Sequence, residues 1–149
     1  MKYATLLLMV ILAGAVFAQD QVEEYQVEPF SAGEARAIEI YDELLPLLEA
    51  CEGHFAENSE IAFDDISSIA KDEKIDMDSA REAVLIDPEM VVFTIGQLDE
   101  YAILQYGLAE NAVETKSALQ SAGKMAENHA KTLTVMVAEW APDYLPKEK

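Results

Sequence analysis

The chain has 149 residues, of which 29 are Asp or Glu and 10 are Lys or Arg, for a formal net charge of −19. A surface of that sign repels nucleic acid and anionic lipid, which excludes both as natural partners and favours a cationic partner, divalent ions or solubility for its own sake. One cysteine, Cys51, excludes an intramolecular disulfide, so stability must come from packing.

The first residues read as a cleavable secretory signal peptide. Lys2 supplies the positive start, residues 4–17 form an apolar run without a charge, and Val16, Phe17 and Ala18 suit a peptidase cut after Ala18. A cut after Ala15 is the alternative. The run is shorter than the roughly 20 residues that a membrane-spanning helix needs, and Gln19 and Asp20 follow at once. Removing 18 of 149 residues leaves 131, without Lys2 and with a formal charge of −20. That length supports one domain, secreted or periplasmic, with no stable membrane insertion after cleavage.

Residues 19–30 are acidic and lack helical periodicity, and are expected to be a flexible lead-in. Ser31 and Glu34 have the spacing of a capping box, opening a first helix in which Ile38, Tyr41, Leu45, Leu48 and Phe55 form one apolar stripe. Pro46 should kink or restart that helix, and Gly53 should stop it. Ser59 is the expected cap of a short second helix carrying Ile61, Ala62, Ile66 and Ile69, followed by a charged connector over residues 71–74. Asp76, Asp78 and Ser79 offer the next start, with Ser79 and Glu82 as a second capping box. Asp87 followed by Pro88 marks another helix through Val91, Ile95, Leu98 and Ala102 to about Gly107.

Asn111 and Glu114 then have capping spacing, with Gly107 expected to end the preceding helix in a left-handed turn. Ala112, Thr115, Leu119, Ala122, Ala126, His129, Leu133, Met136 and Trp140 repeat in threes and fours, a seam suited to coiled-coil-like packing. Pro142 and Pro146 close it. The expected fold is therefore all-α: a bundle of four to five helices over residues 31–141, with a long C-terminal helical hairpin and a tail over 142–149.

Motifs for chemistry are missing. The sequence has no glycine-rich phosphate loop, no Gly-x-Ser-x-Gly elbow, no His-Glu-x-x-His and no paired cysteines. Residues 72–83 are acidic, but Ile75, Met77 and Ala80 interrupt a calcium-loop pattern, and capping explains Asp76 and Asp78 better. A di-iron bundle needs Glu three residues before each His, and here those positions hold Cys51 and Ala126. A looser zinc or copper site from Cys51, His54 and His129 would need the end of the first helix beside the middle of the last, about 25 Å along from Ala112 at helical rise. Simple antiparallel pairing keeps them apart. Glu39 and Glu43, one turn apart, read as solvated surface rather than paired catalytic carboxylates.

Met125, Met136, Phe93, Tyr101, Tyr106 and Trp140 suit the core better than a ligand groove. The sequence thus points to an exported, acidic, non-enzymatic binding or interaction module. Neither catalytic, cofactor-binding nor metal-binding residues are expected. Its partner would be a protein or other cationic species, or a second copy joined through the long seam. The alternative is a periplasmic metal- or haem-binding bundle.

Overall fold

The computed structural model describes residues 32–147; the expected signal peptide, the lead-in and the Ser31 cap lie outside them. The described residues form an all-α bundle of five helices without a strand: α1 (Ala32–Cys51), α2 (Phe63–Asp72), α3 (Met77–Ile86), α4 (Pro88–Glu110) and α5 (Lys116–Trp140). Short 3-10 turns at Glu52–Ala56 and Pro142–Tyr144 follow α1 and α5.

The first helix is the hub. Ile38, Ile40, Tyr41, Leu44, Leu45, Leu47, Leu48 and Cys51 are all buried, more than one stripe, because α1 contacts each of the other four helices. Pro46 sits inside α1 without ending it. A mid-helix proline costs about 3 kcal/mol, whereas each neighbouring leucine gains about 1.5–3 kcal/mol on burial. Packing of Leu44, Leu45, Leu47 and Leu48 therefore outweighs the lost backbone bond. Gly53 falls in the 3-10 turn just beyond α1, close to the expected stop.

Caps account for the short helices. The α2 cap is Ala62 rather than Ser59, and its backbone N–H donates to Asp65 Oδ2 at 3.0 Å. The 71–74 connector is tighter than its charge suggested: Ile75 N donates to Ala70 O at 2.8 Å and Lys74 N to Lys71 O at 3.3 Å. That double bond pattern ends α2 with Lys74 in the left-handed region, at φ 57°. Asp76 caps α3, accepting from Asp78 N at 3.0 Å and from the Ser79 hydroxyl at 2.8 Å. These bonds hold its carboxyl below the usual range, that from Ser79 most of all. Asp87 caps α4, accepting from Met90 N at 3.3 Å, with Pro88 in the first turn as its fixed φ favours.

The longest pairing is α4 with α5, the expected C-terminal hairpin. Its turn is displaced from the expected place. Gly107 lies inside α4, which runs on to Glu110 with Asn111 as its C-cap, and α5 starts at Lys116 rather than Ala112. No glycine among the described residues has positive φ, so Gly107 supplies no left-handed stop. The seam is buried along Ala126, His129, Leu133 and Met136. Gly123 sets the approach distance: a Cβ there would lie 3.1 Å from the Tyr106 ring and 3.3 Å from the Ala102 carbonyl oxygen. Met136 and Tyr101 are core, as expected, and Trp140 packs edge-on against Phe63 with ring centres 5.4 Å apart, but Phe93, also expected in the core, is exposed on α4. Among the described residues no helix is long and apolar enough to cross a membrane.

Candidate functional site

Three polar constellations tie the elements together, one buried and two nearer the surface, and each draws on more than one helix or loop. The deepest joins α1 to α5. Tyr41 lies on α1 and Glu52, eleven residues on, opens the 3-10 turn that continues it, so both meet the same stretch of α5. The Tyr41 hydroxyl lies 2.7 Å from His129 Nδ1, and His129 Nε2 lies 3.0 Å from Glu52 Oε1. His129 is only 1% exposed.

Burial first, and then the carboxylates of Glu52, Glu49 and Asp42, push the Tyr41 phenol well above its ordinary range. It therefore keeps its proton, and because Nε2 faces the Glu52 carboxylate, which can only accept, the ring proton belongs on Nε2 and the hydroxyl donates to Nδ1. That second approach is close but poorly aligned for an N–H···O bond, so Nε2 and Oε1 make an electrostatic contact and leave their directional bonds unmade. This contact overturns the expected separation of the first helix end from the middle of the last: α1 ends against mid-α5.

The second constellation ties α4 to α5. Tyr106 donates to Glu127 Oε2 at 2.8 Å, and Glu127 Oε1 lies 3.0 Å from Lys131 Nζ and 3.8 Å from Lys124 Nζ. Bonds from Lys131 and Tyr106 hold the Glu127 carboxyl below its usual range. Lys131 also donates to the Ser59 carbonyl at 2.9 Å, pinning the loop before α2 onto α5. The third lies in that loop. His54 Nε2 is 3.0 Å from the Glu60 carbonyl oxygen, which can only accept, so Nε2 carries a proton and donates. The ring sits edge-on to Phe55, and Asp65 Oδ2 lies 3.9 Å from Nε2.

The histidines therefore serve different neighbourhoods: His54 closes its own loop and His129 joins α1 to α5. Among the described residues no group of three or more His, Cys, Asp or Glu side chains could hold a metal ion. Cys51 is buried, and burial pushes its thiol up to about 11. Glu39 is exposed and pairs with Arg36 at 2.9 Å; Glu43 is exposed beside a groove of about 290 Å³ between α1 and α3.

A larger groove, of about 320 Å³, lies where α4, α5 and the loop before α2 meet, lined by Glu60, Ile61, Asp99, Ala130, Lys131, Thr134 and Val135. Neither Glu60 nor Asp99 stood out in the sequence, because the groove is made by the loop that Lys131 holds down. The signal for the α1–α5 link was available in part: Tyr41 and His129 each place a polar tip on an apolar stripe, and each needs a partner. Compared with known proteins, the chain matches no family model, no curated protein and no solved structure.

Proposed function

We propose that the chain is an exported, acidic, non-enzymatic binding module that docks a basic amphipathic helix on the outer face of α4. The observation that carries this reading is the apolar row on that face, where Ile103 is 72% exposed, with Leu104 and Phe93 also open. At 3.6 residues per turn, Phe93, Gly96, Ile103, Leu104 and Gly107 fall in one sector of the helix, with Glu89 and Glu100 among them. Contiguous exposed apolar surface with polar neighbours is typical of a docking face.

Gly96 and Gly107 strengthen the reading. Each costs about 1 kcal/mol of helix stability relative to alanine, yet a Cβ at either position would meet nothing within 4 Å. Bare backbone on an open helix face permits close approach of another helix. The glutamates select its charge: a second copy would set Glu89 and Glu100 against like carboxylates on a chain of net charge −19, while Lys or Arg would neutralise them. The signal-like first 18 residues support export, and exported material with an intact mass beginning at Gln19 tests that part.

Docking is tested with a labelled amphipathic Leu/Lys helix and its Leu/Glu counterpart of the same pattern. The Lys form should bind saturably and lose affinity with added salt, and Gly96→Leu should abolish binding while leaving the fold intact. Equal binding of both probes, or no binding of either, would overturn the reading.

A further inference from the structure

The groove beneath the Ser59–Lys131 tie holds a charge arrangement that the α4 docking face does not use. Its floor is apolar, made by Ile61, Ala130 and Val135. Asp99 enters from α4, and its side chain makes no hydrogen bond or ion pair among the described residues. Partial burial, and then the nearby Glu127 carboxylate, raise its carboxyl above the usual range. Glu60 adds a second carboxylate, exposed like Asp99. The one cation in the lining, Lys131, has its ammonium 3.0 Å from Glu127 and donates to the Ser59 carbonyl, so its charge is already matched.

Those facts discriminate among ligand classes. An anion would meet Asp99 and Glu60 with no free cation to offset them. A neutral apolar molecule would strip more water from Asp99 and give nothing back, which costs free energy for a carboxylate. A cation with a short hydrocarbon stem answers both demands, laying its methylenes on Ile61 and Val135 while its N–H groups reach the carboxylates. A volume of about 320 Å³ sits at the small end of ligand pockets. We infer that this groove is a binding site for an alkylammonium group, held by Asp99 and Glu60 over the apolar floor of Ile61, Ala130 and Val135. Either a free aliphatic amine or a lysine side chain offers that group.

Calorimetric titration of the full chain with n-hexylammonium, hexanol and hexanoate tests the inference. Hexylammonium should bind saturably, and hexanol and hexanoate at least about tenfold more weakly, since a charge-assisted bond contributes 1.5–3 kcal/mol. Asp99→Asn should cost a similar factor, whereas Glu114→Gln, on the distant α4–α5 turn, should cost none. Equal binding of hexanol, or equal losses in the two variants, would overturn the site by reducing it to apolar contact or to general attraction by an acidic protein. Titrating Nα-acetyl-lysine-N-methylamide in parallel separates the sources: binding as tight as that of hexylammonium assigns the groove to a lysine side chain, and markedly weaker binding assigns it to a free amine. Retention of hexylammonium binding in Gly96→Leu would show that this groove works independently of the α4 face, and its loss in a folded variant would overturn the assignment to Asp99 and Glu60.

Discussion

The Tyr41 hydroxyl and His129 Nδ1 lie 2.7 Å apart although 88 residues separate them in the chain. Tyr41→Phe removes the donor and leaves Nδ1 buried without one. The expected loss is about 1–3 kcal/mol, the cost of an unsatisfied buried acceptor, read from urea denaturation. Nitrogen NMR of His129 should find the proton on Nε2 in the native chain, and a proton on Nδ1 of the neutral ring would overturn the direction assigned to the bond.

Burial distinguishes two charge insertions on the α4–α5 hairpin. Leu133 is buried against the core and Ile103 stands in solvent. Leu133→Asp should therefore lower stability by about 4 kcal/mol or more, whereas Ile103→Asp should change it by about 0.5 kcal/mol or less. Similar melting temperatures for the two variants would mean that the seam does not face inward.

Close approach at Gly123 gives a third expectation. Valine there must displace the Tyr106 ring and press on the Ala102 carbonyl oxygen. Overpacking of this kind costs about 1–3 kcal/mol, enough to exceed any gain in helix propensity. A melting temperature at or above that of the native chain would show that the helices can separate without penalty.

Acid titration should move Glu127 and Asp99 in opposite directions. The folded chain lowers the Glu127 carboxyl, so its contribution is present above its ordinary 4.5 and disappears as pH falls through the lowered value. Asp99 is raised, so its charged form destabilises at neutral pH and that penalty vanishes as pH falls through the raised value towards 3.8. Glu127→Gln should destabilise at pH 7, and Asp99→Asn should stabilise, with both differences vanishing in strong acid. At the alkaline end, the neutral Cys51 thiol contributes stability in full below its ordinary 9.0, lost as pH rises through about 11. Cys51→Ala should flatten that part of the alkaline profile.

Salt tests the net charge. At −19, self-repulsion opposes folding at low ionic strength, so melting temperature should rise between low salt and roughly 0.15 M, and further towards 1 M. The same additions should weaken any complex with the Leu/Lys helix. A melting temperature flat across the series would remove repulsion as a factor in stability.

Local chemistry made much of this fold legible. Asp87 followed by Pro88 capped α4 where the sequence placed it, whereas of the three starts offered for α3 it was Asp76 that formed the cap, and Ser79, expected to open a capping box with Glu82, lies inside the helix and donates to Asp76. The Leu133 and Met136 register held because heptad spacing is itself a statement about one helix face. Gly107 misled because glycine ends a helix only where a left-handed residue is required, and α4 needs none there. Lys74 carries the left-handed position that a glycine would have advertised. The α1–α5 link and the Asp99 groove depend on how helices far apart in sequence cross and on where one lysine pins a loop, and periodicity along a single helix carries no record of either.

The displaced hairpin turn also makes the chain easy to tag. Val113 is 93% exposed between α4 and α5, and the Thr115 cap makes no side-chain hydrogen bond that a substitution there would disturb. The native Cys51 is enclosed in the core, with its thiol held protonated at neutral pH. Val113→Cys would therefore give one reachable thiol with the native cysteine left in place, so a single fluorophore could be attached at the hairpin tip without touching either the α4 row or the amine groove.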